Sequence, residues 1–204
     1  EEHDLAYIAM EFLKGTDLIK YTRKDNLLPI SKVLDLVKRI AVSLAYAHSN
    51  NVVHRDIKPG NIMWDSETDS MKVTDFGIAR ITNSSKTKTG AVLGTPPYMS
   101  PEQLAGKKVS GQADLFSLGV MMYQLVTGEL PFKGETMAAL VYQITNDKHA
   151  SPASINPNVP RCVCTIINRA MEKDTAKRYK TGTQLATDIG KCQKIIAAER
   201  KGLK

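Results

Sequence analysis

The chain has 204 residues, 42% hydrophobic and 24% charged, with glycine and proline scattered along its length. That composition suits a folded domain and excludes a collagen-like, low-complexity or wholly disordered one. The formal charge of +7 would admit a nucleic-acid or membrane-surface partner. The basic residues are dispersed, however, so a solvated surface and no nucleic-acid partner are expected.

In chain order, Leu5–Phe12 is short, apolar and followed by Lys-Gly-Thr-Asp, which predicts a strand entering a turn. From Ser31 to about Ser49, apolar residues fall at Val33, Leu36, Val37, Ile40, Ala41 and Leu44. That stripe predicts an amphipathic helix. Asn61–Trp64 and Met71–Thr74 read as two short strands, with Asp65–Ser70 as the polar turn of a hairpin. Gly111–Thr127 is apolar on nearly every side and predicts a helix inside the core. Gly128 ends it, and Pro131 prevents restart.

Further helices are predicted at 135–146, 159–172 and 181–199, with a Pro-rich boundary at 152–160. Met121, Met122, Met137 and Met171 read as core filler. Cys162 and Cys164 are one residue apart and Cys192 stands alone. Neither a disulfide framework nor a zinc site is supported, which predicts free thiols in a reducing cytoplasmic compartment. No apolar run reaches the ~18 residues of a membrane span. The opening Glu-Glu-His-Asp also lacks the pattern of a secretory leader. Any membrane anchor of a parent protein is expected outside this segment.

The segment His54-Arg55-Asp56-Ile57-Lys58-Pro59-Gly60-Asn61 joins the long helix to the hairpin, whose second strand ends in Asp75-Phe76-Gly77. Phosphoryl transfer from ATP needs an acceptor for the substrate hydroxyl proton, metal-binding oxygens and a cation beside the migrating phosphate. Asp56, the pair Asn61 and Asp75, and Lys58 supply these in turn. Magnesium favours hard oxygen ligands and keeps some of its water, so one amide and one carboxylate with ATP phosphates suffice. Taken singly, Asp56 or Asp75 is an ordinary turn residue; their spacing around one hairpin is what carries the chemistry.

Together these two segments resemble the catalytic loop and the metal-binding motif of eukaryotic-like (Hanks-type) Ser/Thr protein kinases. Gly94-Thr95-Pro96-Pro97-Tyr98-Met99-Ser100-Pro101-Glu102 is similar to the end of that family's activation segment, with Ser100 where the family usually has Ala. The resemblance extends over residues 5 to about 196. It implies an α+β, mainly α, kinase-like fold: a large helical C-terminal lobe with a short β-hairpin. The parts are a hinge strand and linker at 1–13, the lobe at 14–199 and a basic tail at 200–204. The family's glycine-rich loop, strand lysine and helix glutamate have no counterpart here. The N-terminal lobe is therefore expected to be absent, and the isolated chain to be inactive.

By the same resemblance, Asp56 is the catalytic base, Lys58 its neighbouring cation, and Asn61 with Asp75 the holders of Mg²⁺ or Mn²⁺. Met10, Glu11, Leu13, Asp17 and Met63 would contact ATP. His54 packs under Phe76, beside Gly77, while Asp114 holds the catalytic-loop backbone and Arg178 pairs with Glu102. Lys58 and Thr95 point to Ser/Thr protein substrates, and the Pro101–Gln103 ending looks most like bacterial members. Arg55 implies an activation loop ordered by phosphate. Thr87 and Thr89 are the expected autophosphorylation sites, ahead of Thr82, Ser84 and Ser85. Expected partners are protein substrates, the chain's own N-terminal lobe and a second kinase copy. A pseudokinase-like scaffold and a small-molecule phosphotransferase remain alternative readings.

Overall fold

The computed structural model describes residues 11–76 and 96–202. The chain is mainly helical with one small antiparallel sheet, in the order β1 (Thr16–Asp17), β2 (Ile62–Trp64) and β3 (Met71–Val73). Its helices are α1 (Ile30–Ser49), α2 (Pro101–Leu104), α3 (Gly111–Thr127), α4 (Met137–Asn146), α5 (Pro152–Ile155), α6 (Arg161–Ala170) and α7 (Gly182–Gly202). Short 3₁₀ turns at Leu18–Tyr21, Lys24–Asn26, Pro59–Asn61 and Pro96–Tyr98 bridge the irregular stretches.

The amphipathic stripe of α1 is buried from Val33 through Ala47, and α1 packs on α3 and α7. α3 is buried on all faces from Ala113 to Thr127 except at Gln124, in keeping with its mostly apolar composition. Each fully buried Leu or Ile contributes about 1.5–3 kcal/mol relative to exposure, so α1 and α3 form the structural axis. Gly128 closes α3 in the left-handed conformation at φ +74°, its N–H bonded to Gln124 O at 2.8 Å. At Gly182 any side chain would run into the Ala41 carbonyl oxygen. This glycine sets how closely α7 approaches α1.

The hairpin register pairs Ile62 with Val73 and Trp64 with Met71. β1 adds a third strand, Thr16 opposite Trp64 and Asp17 opposite Met63, where a turn was expected. Its two residues are too few to give a sequence period. The expected strand Leu5–Phe12 lies largely outside the described residues; Phe12 itself is in no strand and is exposed. α5 forms inside the Pro-rich boundary, because Pro152 occupies its first turn, where proline costs nothing. Met121, Met122 and Met171 are core residues, but Met137 is exposed in the first turn of α4.

The expectation of free thiols throughout is corrected: Cys162 on α6 and Cys192 on α7 form a disulfide, with Cα atoms 5.6 Å apart, and only Cys164 is free. The partners are 30 residues apart. Helix packing rather than local spacing brings them together, so no sequence motif announces the bond. No helix among the described residues is long and apolar enough to cross a membrane.

Candidate active site

α1 ends at Ser49, and residues 52–58 lead from it to the 3₁₀ turn Pro59–Asn61 before β2. Asp114, in the first turn of α3 and fully buried, anchors this segment. Its Oδ2 accepts the His54 N–H at 2.9 Å and its Oδ1 accepts the Arg55 N–H at 2.7 Å. His48 Nε2 lies 2.7 Å from the same Oδ2. A carboxylate fits here because three donors converge on it in a dry place. His48 was missed by sequence reasoning; it sits on the last turn of α1 with no motif around it.

Fully buried His54 accepts the Asp56 N–H at Nδ1, at 3.3 Å. The proton therefore lies on Nε2, which donates to Thr74 O at 2.7 Å. The His54 and Phe76 rings are 4.6 Å apart, tilted by 57°. Arg55 and Asp75 both have positive φ, +71° and +61°. Such a conformation is uncommon for non-glycine residues and persists where surrounding bonds hold it.

Asp56 has its Oδ2 engaged twice, by Lys58 Nζ at 2.7 Å and by Asn61 Nδ2 at 3.1 Å. Asn61 Nδ2 also donates to Asp56 O at 2.7 Å. These bonds orient the amide, turning Asn61 Oδ1 away from Asp56. The ladder continues past Ile62–Val73 through the bond from Thr74 N to Asn61 O, 2.9 Å. Asp75 is thus one residue beyond Asn61's partner, which brings the two oxygen-bearing side chains to one end of the hairpin. Thr74 Oγ1 bonds both Asn61 O (3.2 Å) and Asp75 Oδ2 (3.3 Å). The donor set is an amide oxygen and a carboxylate, suited to a hard cation that keeps water. Among the described residues no three His, Cys, Asp or Glu side chains converge.

Further along β2, two residues on from Asn61, Met63 lines a groove of about 330 Å³ together with Glu11 and Leu13. Lys72 donates to both Glu11 oxygens at 2.6 Å. Asp17 sits opposite Met63 in the ladder and caps the following turn, accepting the Ile19 N–H at 2.9 Å. Glu102 at the start of α2 meets Arg178 in a two-pronged pair, 2.6 and 3.1 Å, with the arginine side chain wholly buried. Met10, Gly77, Thr87, Thr89, Thr95 and the acceptors Thr82, Ser84 and Ser85 lie outside the described residues.

The protein kinase domain family profile matches residues 1–189. Among curated proteins, the chain is 38% identical over 190 residues to the Ser/Thr-protein kinase PrkC of Bacillus subtilis, covering 93% of this chain and 29% of that protein. It is 35% identical to the Ser/Thr-protein kinase PknB of Mycobacterium leprae, over 91% of this chain and 30% of that one. The chain thus spans just under a third of these relatives' length. Among solved structures, Rad53 in complex with AMP-PNP superposes with a TM-score of 0.72 at 27% identity, covering 87% of this chain and 44% of that one. The Mycobacterium tuberculosis PknI kinase domain gives 0.69 at 25% identity, covering 89% and 64%.

Proposed function

This chain belongs to the protein kinase domain family, and from that premise we propose that it is the C-terminal catalytic lobe of a Ser/Thr protein kinase. The parent protein would transfer the γ-phosphoryl group of ATP to Ser or Thr hydroxyls of proteins. The observation that carries this reading is the state of Asp56. Lys58 and Asn61 saturate its Oδ2, which orients the carboxylate and leaves Oδ1 as the oxygen to accept a proton.

In the proposed reaction the substrate hydroxyl oxygen attacks the γ-phosphorus, its proton passes to Asp56 Oδ1, and the bond to the ADP oxygen breaks. Lys58, held beside Asp56, places positive charge where the migrating phosphoryl group carries negative charge. Asn61 Oδ1 and the Asp75 carboxylate would hold Mg²⁺ or Mn²⁺, which when bound neutralises charge on the phosphate oxygens. Glu11, Leu13 and Met63 would bound the adenine, with Asp17 toward the ribose. Met10 and Thr95 are assigned by the family pattern alone.

Regulation follows the same reading. Among the described residues the Arg55 guanidinium makes no ion pair, which leaves it available to a phosphate on Thr87 or Thr89. An exposed apolar groove between α1 and β3, lined by Val42, Tyr46, Val52, Val73 and Phe76, offers the surface an N-terminal lobe would cover. This chain alone is expected to have negligible activity.

The test is a phosphotransfer assay on the parent protein with ATP and Mg²⁺, offering a Ser/Thr peptide, an aminoglycoside and choline. Peptide phosphorylation is expected, with Asp56→Asn lowering kcat by about 10²–10⁴. Transfer to the small molecules but not the peptide, or an unimpaired Asp56→Asn enzyme, defeats the proposal. Mass spectrometry after ATP treatment is expected to find phosphate between residues 83 and 90. Autophosphorylation by residues 1–204 alone defeats the claim of fragment inactivity.

A further inference from the structure

Ser100 is fully buried and caps α2. Its Oγ accepts the Gln103 N–H at 3.3 Å, while Gln103 Oε1 accepts from Ser100 N at 3.1 Å and from Ser100 Oγ at 3.0 Å. This is a reciprocal capping box, and Ser-Pro-Glu-Gln carries its sequence pattern. With two donors on its oxygen, the Gln103 amide has one orientation. Its nitrogen then points out of the box and donates to Arg55 O at 2.9 Å.

That carbonyl belongs to the peptide plane joining Arg55 to Asp56. The other polar atom of the plane, Asp56 N, is bound to His54 Nδ1. The preceding N–H, on Arg55 itself, is bound to Asp114. Arg55 stands at φ +71°, so the plane lies in a conformation the backbone alone disfavours. The Gln103 amide holds its oxygen side. A capping box is served equally well by Glu. The box accounts for Oε1 and leaves the donated bond unexplained. Only an amide at position 103 performs both tasks.

We propose that Gln103 is a positioning residue for phosphoryl transfer, its Ser100-oriented amide coupling the end of the activation segment to the peptide that carries Asp56. The proposal rests on the kinase reading above. It gives Ser100 a purpose that a replacement of alanine by another small residue would lack. Ordering residues 96–104 sets the direction of the Asp56 carboxylate, without Gln103 touching substrate.

The test uses the full-length parent protein and Gln103→Glu, which keeps the box and the side-chain length but replaces the donor with an acceptor. The expected result is a kcat lower by about tenfold to hundredfold, as for other small misplacements of a reacting group. KM for ATP should be unchanged, and amide hydrogen exchange across residues 53–57 faster. Gln103→Leu should show the same split and serves if the charged variant does not fold. A loss of thermal stability with kcat intact would mark the residue as a cap alone and overturn the proposal, as would unchanged exchange at 53–57. If the wild-type parent phosphorylates Ser/Thr peptides and Gln103→Glu does so at the same rate, the coupling is wrong and the kinase reading stands. If the wild-type parent phosphorylates none, the kinase reading itself has failed.

Discussion

Arg39 and Asp69 are joined twice across 30 residues: Nη1 meets the Asp69 carboxylate at 3.3 Å and Nη2 its backbone carbonyl at 2.7 Å. Asp69 sits in the β2–β3 turn at φ +54°, and its carboxylate also receives Lys32 Nζ (2.5 Å) and Trp64 Nε1 (2.9 Å). One turn residue thereby ties the hairpin, with Asn61 and Asp75 at its open end, to the solvent side of α1.

This clamp should be visible in acid. The bonds from Lys32 and then Trp64 hold the Asp69 carboxyl down from 3.8 to about 2. Between those values the unfolded chain binds the proton and the folded one does not. Stability from this group is therefore complete above pH 4 and is lost as pH falls toward 2. Asp69→Asn should flatten that part of the urea-midpoint profile. Parallel wild-type and variant profiles between pH 2 and 4 would rule the clamp out.

The buried pair predicts an asymmetry. Glu102→Ala strands a guanidinium whose side chain is 0% exposed, and should cost about 3–5 kcal/mol in denaturant unfolding. Replacing both partners, Glu102→Leu with Arg178→Met, should recover part of the loss: no charge is orphaned, but the Glu172, Gln112 and Lys173 carbonyls lose their donor. A double variant as unstable as the single one would contradict this account.

Lys173 offers a test at alkaline pH. Its ammonium lies 3.9 Å from the Phe132 ring centre and 5.5 Å from that of Phe116. Burial, then the charge of Arg178, pushes it down from 10.5 to about 8. Between pH 8 and 10 the unfolded chain keeps a proton that the folded one has lost, so stability rises with pH. Above that window the Tyr98 phenol, pushed up to about 12 by burial, acts in the opposite direction. Lys173→Met should abolish the rise between pH 8 and 10; a slope that survives the substitution would point to another group.

Reduction should weaken the fold. A cross-link closing a loop of 30 residues restricts the unfolded chain by an amount worth about 3–4 kcal/mol in the chain-entropy treatment. Dithiothreitol should lower the denaturation midpoint of the wild type and leave that of Cys162→Ser unchanged. A wild-type midpoint indifferent to reductant would show that the bond does not form in solution.

Much of this was legible in the sequence because the information is local. The α1 stripe, the mostly apolar α3 with Gly128 after it, and the short hairpin strands are each set by neighbours within a few positions. The segments around Asp56 and Asp75 could be placed together because a tight hairpin connects them. What escaped depends on contacts between distant segments. His48 reaches Asp114 across 66 residues, and Cys162 reaches Cys192 across 30, neither with a spacing rule to announce it. Gln103 stood out only as the end of the Pro101–Gln103 segment; its place in the capping box and its bond to Arg55 O become visible once α2 is laid against the catalytic loop.

The Glu102–Arg178 pair has one more consequence, which concerns time. The partners are 76 positions apart, and the glutamate is made first. At about 5–20 residues per second, Glu102 leaves the peptidyl-transferase centre roughly 4–15 seconds before its arginine exists. Asp114 is present to grip Arg55 early in that interval. The catalytic loop can therefore be held on the Asp114 side during synthesis, while the α2 side acquires its buried counter-charge only 76 residues after Glu102 is made.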